Sequence, residues 1–298
     1  MIQFLADGIV FAAIIALGAV GLSMIYNILR FANFAQGEIV AAGAYFALAF
    51  MALLGAGVGA IGPLAFVWPL LVSIGFAMAA TSVMVLIVDW LLFRPLRNKN
   101  ASRITLIMAA FGASLMGRNI VTLIAGGDPI NYAFFIPRAV EFLPGVRLVP
   151  DDLAIVALSV AAVIGLHQFL RRTQMGRWMR ATAENPTLAQ VNGIDTRVVI
   201  RWTWIVGASL ATLAGALQGH IVELRPEMGF SLLLPMFAAL ILGGVGSVTG
   251  TVLGALFVGI TQSLAVAVGL SAYREAVTFL LMLAVLLVRP QGLMGERD

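Results

Sequence analysis

Two long stretches of the chain, residues 39–88 and 228–273, contain no Asp, Glu, Lys or Arg, and the same holds for 8–29, 104–117, 153–170, 202–222 and 276–288. A helix crossing about 30 Å of hydrocarbon needs roughly 20 predominantly apolar residues. Each of the two longest stretches therefore has room for two crossings, and the whole chain reads as about 8–9 transmembrane helices. Of its 298 residues 61% are hydrophobic and 11% charged, with a mean hydropathy of +1.02, more apolar surface than a soluble domain of this size could cover. The expected fold is an all-α polytopic membrane protein forming a single domain over 1–298. The first run has no basic segment ahead of it and reads as a retained span rather than a cleaved signal peptide.

Charge distribution sets the orientation, because short loops rich in Lys and Arg stay in the cytoplasm. Arg94, Arg97, Lys99 and Arg103 form one basic cluster; Arg171, Arg172, Arg177, Arg180, Arg197 and Arg201 form a second. Segment 126–152 sets Asp128, Glu141, Asp151 and Asp152 against Arg138 and Arg147, and 223–227 sets Glu223 and Glu227 against Arg225, so both belong outside. Threading the chain accordingly gives an external N-terminus, a cytoplasmic C-terminus with Arg289 and Arg297, and spans near 8–29, 34–54, 63–92, 104–125, 152–170, 201–222, 230–246, 249–270 and 272–289. Pro129, Pro137, Pro144, Gly145 and Pro150 mark 126–152 as an external loop. The stretch 228–273 barely holds two full spans and a turn, which leaves room for one broken or re-entrant helix.

Several chemistries have no residues to carry them. The chain has no cysteine, and its two histidines, His167 and His220, stand alone in their segments, so no metal set is expected. The run GGVGSVTGTVLG at 243–254 lacks the Lys-Ser/Thr ending of a phosphate loop. No cofactor is expected. The net charge of +4 is accounted for by cytoplasmic loops beside an anionic leaflet, and no basic patch interleaved with aromatics points to nucleic acid. In the same run the glycines, Gly244 and Gly246 included, serve one of two ends. They support close helix packing, with Gly250 and Gly254 at small-x-x-x-small spacing, or they break a helix and expose backbone to a central pathway.

The longest polar interruption is GRWMRATAENPTLAQVNGID at 176–195. Asn185-Pro186 is a helix-start signal and Gly193 a stop, so TLAQVN reads as a short cytoplasmic helix within a loop of about 171–201. It is either a docking element or, with Trp178 and the arginines, an amphipathic segment lying on the bilayer. This stretch resembles the cytoplasmic coupling loop of permease subunits in branched-chain amino-acid ABC transporters. GLSMIYNILRFANFAQGE at 21–38, LILGGVGSVTGTVLGALFVG at 240–259 and VRPQGLMG at 288–295 resemble the same family in the same order, and the chain is most similar to the H-type membrane subunit. The resemblance implies a second related permease subunit, two cytoplasmic ABC ATPase subunits, an external solute-binding protein and a location in the bacterial inner membrane. It also implies that the loop transmits ATPase closure. Ala189 and Gly193 stand at the spacing of the Ala and Gly in the general EAA-x-x-x-G coupling signature, Thr187 replaces its Glu, and Gly176, Arg177, Arg180 and Glu184 would fit or fix the helix at its groove.

Polar residues inside a membrane helix are costly unless paired or facing water. Asn33, Gln36 and Glu38 open the second span, just inside the expected cytoplasmic surface. They either line the inner end of a translocation path, or cap a helix while Glu38 pairs with an arginine such as Arg30. Arg118 lies about 22 Å beyond Arg103 at 1.5 Å per residue. It either attracts a substrate carboxylate, pairs with an acidic neighbour or snorkels outward. A secondary transporter of small polar solutes is the alternative class, but it would be expected to carry more ionisable groups away from the span ends. A membrane enzyme would need a catalytic constellation that the sequence lacks.

Overall fold

The computed structural model describes residues 1–54, 68–132, 140–143, 146–289 and 291–294. The start of the third span at 63–67, the loop residues Pro137, Arg138, Pro144 and Gly145, and Arg297 lie outside the described residues. In chain order the helices are α1 (Ile2–Leu29), α2 (Gln36–Leu54) and α3 (Trp68–Val88), which runs through a π-helical turn (Asp89–Phe93) into α4 (Arg94–Asn98). There follow α5 (Arg103–Ala125), α6 (Pro150–Arg172), α7 (Gln174–Glu184), α8 (Pro186–Val191), α9 (Thr196–Ile221), α10 (Met228–Gly243), α11 (Val248–Ala267) and α12 (Arg274–Val288). Among the described residues 8 helices are long and apolar enough to cross a membrane, and α10 is a shorter apolar one. The external loop adds a small antiparallel hairpin, β1 (Val140–Leu143) with β2 (Val146–Leu148).

The helices sort into a centre and a periphery. In α1, 83% of the most apolar window is buried inside the chain, against 17% in α5 and α6 and 6% in α12. At the centre, α1, α2, α9, α10 and α11 approach at backbone distance through small residues, the usual means of helix association where lipid removes the hydrophobic driving force. A Cβ on Gly37 would lie 2.8 Å from the Gly229 carbonyl carbon and closer still to its oxygen. Gly215 is pressed in the same way on Val40, Gly43 on Thr212, Gly250 on Gly243 and Gly254 on Ala239. The packing reading of Gly250 and Gly254 is therefore the one the fold uses.

The two ends of the bundle separate the charges as the sequence suggests. At one end Arg30, in a left-handed conformation (φ 59) after α1, donates to the Ala183 carbonyl of α7, and the basic α3–α4 terminus lies close by through a Phe31–Phe93–Trp204 ring series with centroids 5.3 and 5.4 Å apart. At the other end Ile130 bridges Leu224, and His220 of α9 meets Asp151 of α6 at 2.9 Å.

One contact changes the expected depth of α2. It follows a cytoplasmic connector, whereas α10 follows the external segment 223–227; if each began at its own surface, their first turns would be a membrane apart. Instead Gly37 and Gly229 are in backbone contact, so both helices begin inside the bilayer. The connector 30–35 climbs inward and 222–227 dips to meet it. With 16 residues α10 is about 24 Å long, short of a full crossing, and it contains Pro235. The broken or re-entrant helix anticipated for 228–273 takes this form.

Candidate translocation and coupling sites

Gln36 and Glu38 are carried into the bundle by the climbing connector. Glu38 packs its stem near Gly117, with Ser114 donating to its carboxylate and Arg118 within electrostatic reach. Those α5 residues are about 16 to 22 Å beyond Arg103 along the helix, so the pair is not just inside the cytoplasmic surface, as the polarity of FANFAQGE suggests, but deep in the membrane. The postulated Glu38–Arg30 pair does not form: Arg30 turns to the Ala183 carbonyl of α7, while Glu38 faces Ser114 and Gly117 of α5. Asn33 does act as a local cap, its Oδ1 accepting from the Ala35 amide at 3.2 Å. Gln36 is wholly buried, and both its amide oxygen and nitrogen lack a hydrogen-bond partner, as do Asn33 Nδ2 and Glu38 Oε2. Buried polar groups are normally satisfied, so this cluster is the largest departure from that rule on α2. Phe34 closes one side, meeting Phe111 of α5 edge-to-face (6.3 Å) and Phe237 of α10 at a tilt (5.2 Å). The first turns of α2 and α10, which carry the positive ends of two helix dipoles, converge here.

Arg118 pairs with Glu227 at 3.1 Å and lies 5.9 Å from the centre of the Phe230 ring. It lines an outer recess of about 370 Å³ with Thr122, Gly127, Pro129, Arg225, Pro226 and Glu227. Gly244 (φ 96) and Gly246 (φ 93) do not join this region. They form the α10–α11 turn, about 21 Å from Gly229 along α10, where Gly246 lies against Asn27 and the C-terminal segment 292–294 bonds back to Leu242 and Gly243.

The polar loop folds into two helices. Thr173 caps α7 and Asn185 caps α8, each accepting a backbone amide at 3.0 Å, and Pro186 occupies the first position of α8. Gly193 (φ 82) closes α8, with Ile194 N–H bonded to the Ala189 carbonyl. Met179 of α7 is buried and Trp178 packs against the bundle core, so α7 is seated on protein rather than laid out on lipid. Gly176 permits this seat, since a Cβ there would strike the Leu170 backbone. Arg180 donates to the Leu170 carbonyl and Arg177 to that of Arg172 (3.5 Å), so both satisfy the end of α6 rather than standing free at a rim. Ala189 is buried within the loop, whereas Glu184 and Gly193 are exposed. The outward face of α8 is instead apolar: Leu188 is 58% exposed and Val191 80%. Two apolar residues three apart in a polar loop were the available sequence signal for that face.

Asp89 is a further charged residue buried in the bundle. It accepts from Trp204 Nε1 at 2.8 Å and pairs with Arg97 at 2.7 Å, tying the π-helical turn of α3 to the start of α9.

Comparison with known proteins bears on the whole chain. The family model described as "Branched-chain amino acid transport system / permease component" matches residues 4–286. The high-affinity branched-chain amino acid transport system permease protein LivH of Escherichia coli is 31% identical, over 100% of this chain and 96% of its own length. BraD of Pseudomonas aeruginosa, with the same description, is 30% identical at the same coverage. A probable LivH of Methanocaldococcus jannaschii is 30% identical over 98% of this chain and 92% of its own. Among solved structures, PsaBC from Streptococcus pneumoniae in complex with Fab superimposes with a TM-score of 0.52 at 12% identity, covering 97% of this chain and 93% of that one, a likeness of fold alone. With a full-length family match, 30–31% identity end to end and a helical membrane bundle of the expected span number, the chain belongs to the branched-chain amino-acid transport permease family.

Proposed function

We propose that this chain is one membrane half of an ATP-driven importer in the cytoplasmic membrane, carrying branched-chain or related amino acids handed over by an external solute-binding protein. A second related permease subunit completes the pathway and two cytoplasmic ATPases drive it through α7 and α8. The observation that carries the reading is the meeting of α2 and α10: two helices that enter from opposite faces touch by their first turns beside Gln36 and Glu38, whose buried polar atoms lack partners. Polar groups left open at that depth suit a path that a polar solute occupies in passing. Family membership supports the importer architecture.

The test is uptake. Replacing Gln36 with Ala removes two unsatisfied polar atoms, each costing about 1–3 kcal/mol when buried. The variant is expected to keep or gain thermal stability while uptake falls by about tenfold or more. Equal loss of assembled complex and of uptake would mean that Gln36 holds the fold. The purified chain on its own is expected to hydrolyse no ATP, because its one glycine-rich run lacks the phosphate-binding lysine; turnover that survives removal of contaminating ATPases would contradict the subunit assignment.

A further inference from the structure

Arg118 stands between two carboxylates of different standing. Glu227 is 63% exposed at its side chain and pairs with it at 3.1 Å. Glu38 is buried, one turn deeper against Ser114 and Gly117, with Oε2 open. A carboxylate in that position keeps its charge only with a cation nearby, and Arg118 already has an exposed partner. The outer recess that Arg118 lines, about 370 Å³, lies in the range of small-ligand sites. An α-amino acid carries one anion and one cation about a bond or two apart, the complement of an arginine beside an unsatisfied carboxylate.

We propose that Arg118 and Glu38 form a recognition site for the charged ends of a zwitterionic amino acid, with Glu227 as the competitor the ligand displaces. The ligand carboxylate takes the place of Glu227 on the Arg118 guanidinium, which suits planar two-point recognition, and its ammonium donates to Glu38 Oε2. The side chain is left toward Phe34 and Phe230, so the site selects for the two charges more than for the side chain. This rests on the importer reading above. A solute lacking the ammonium leaves Glu38 buried and unpaired, and one lacking the carboxylate cannot displace Glu227 from Arg118; a charged hydrogen bond lost in either way amounts to about tenfold or more in affinity.

The experiment uses the full complex with its partner permease and ATPases. ATP-dependent import of L-leucine with the solute-binding protein is measured first; no import of any branched-chain amino acid defeats the importer reading itself. Weak binding to the complex without the solute-binding protein is then followed by saturation-transfer NMR for L-leucine, L-leucinamide and 4-methylpentanoate. Wild type is expected to prefer leucine about tenfold over both analogues. Glu38→Gln should bring leucine down to the level of 4-methylpentanoate, and Arg118→Gln down to that of leucinamide. Glu227→Gln, at an exposed position that folding tolerates, should raise leucine affinity severalfold by freeing Arg118. Import without any preference for the zwitterion, no gain in Glu227→Gln, or full recovery of leucine preference in the reversed pair Arg118→Glu/Glu227→Arg would overturn the site and leave Arg118 as a structural partner of Glu227.

Discussion

Gly37→Ala is expected to strip most of the folded complex from the membrane, although it adds a single methyl group. That methyl would sit 2.8 Å from the Gly229 carbonyl carbon and nearer to its oxygen, and the obstacle is backbone on a helix that is itself pressed on α2. Overpacking costs about 1–3 kcal/mol, more where nothing can give way, a large fraction of a typical stability of about 5–15 kcal/mol. Gly165→Ala in α6 provides the opposite sign, since a Cβ there meets nothing within 4 Å in the chain. Removing a helical glycine gains roughly 0.5–1 kcal/mol. Heating detergent-solubilised complex and following its size-exclusion peak compares the two. Equal melting of Gly37→Ala and wild type would show that α2 and α10 do not meet as described.

Gly193→Trp is expected to act on coupling and leave the bundle intact. The residue holds φ 82 with open space around it, so a tryptophan collides with nothing in the chain but must adopt a left-handed conformation at a cost of about 1–2 kcal/mol. That cost falls on α8, outside the membrane, and misplaces the exposed Leu188 and Val191 that face away from the bundle. Subunit stoichiometry should hold while solute-stimulated ATP hydrolysis falls by about tenfold or more. Stimulation at the wild-type level in an intact complex would remove α8 from the drive mechanism.

Much of this architecture was legible in the order of residues. Uncharged runs are direct evidence of spans, and Arg/Lys clusters sort their ends, so the bundle followed from two simple physical rules. The α8 helix was equally plain, because Asn185-Pro186 and Gly193 are local signals whose meaning does not depend on tertiary contacts. Depth was not legible at FANFAQGE. Polarity in sequence marks groups that need partners, and it cannot tell water at a surface from a cavity inside a bundle; the Gly37–Gly229 contact puts this stretch inside the bundle. For the same reason Gly244 and Gly246 looked like candidates for a central break, yet they turn the chain at the cytoplasmic end. Arg177 and Arg180 read as residues that fix the helix at its groove, because the carbonyls to which they donate belong to the preceding helix end and are not visible in the sequence pattern.

The hydrogen bond from Arg30 to Ala183 joins the polar loop of α7 and α8 to the very first residue of the connector that carries Asn33 and Gln36. Beside it, Phe31 rests on Phe93 and Phe93 on Trp204, the latter just past the other end of the same loop. The connector is therefore held at its start by the last turn of α7 and, through Phe93, by α9, like a short tiller between two fingers. The path from α7 to the polar cluster is thus six residues of connector instead of the length of a span, and the bridge of Ile130 to Leu224 lies at the opposite end of the bundle.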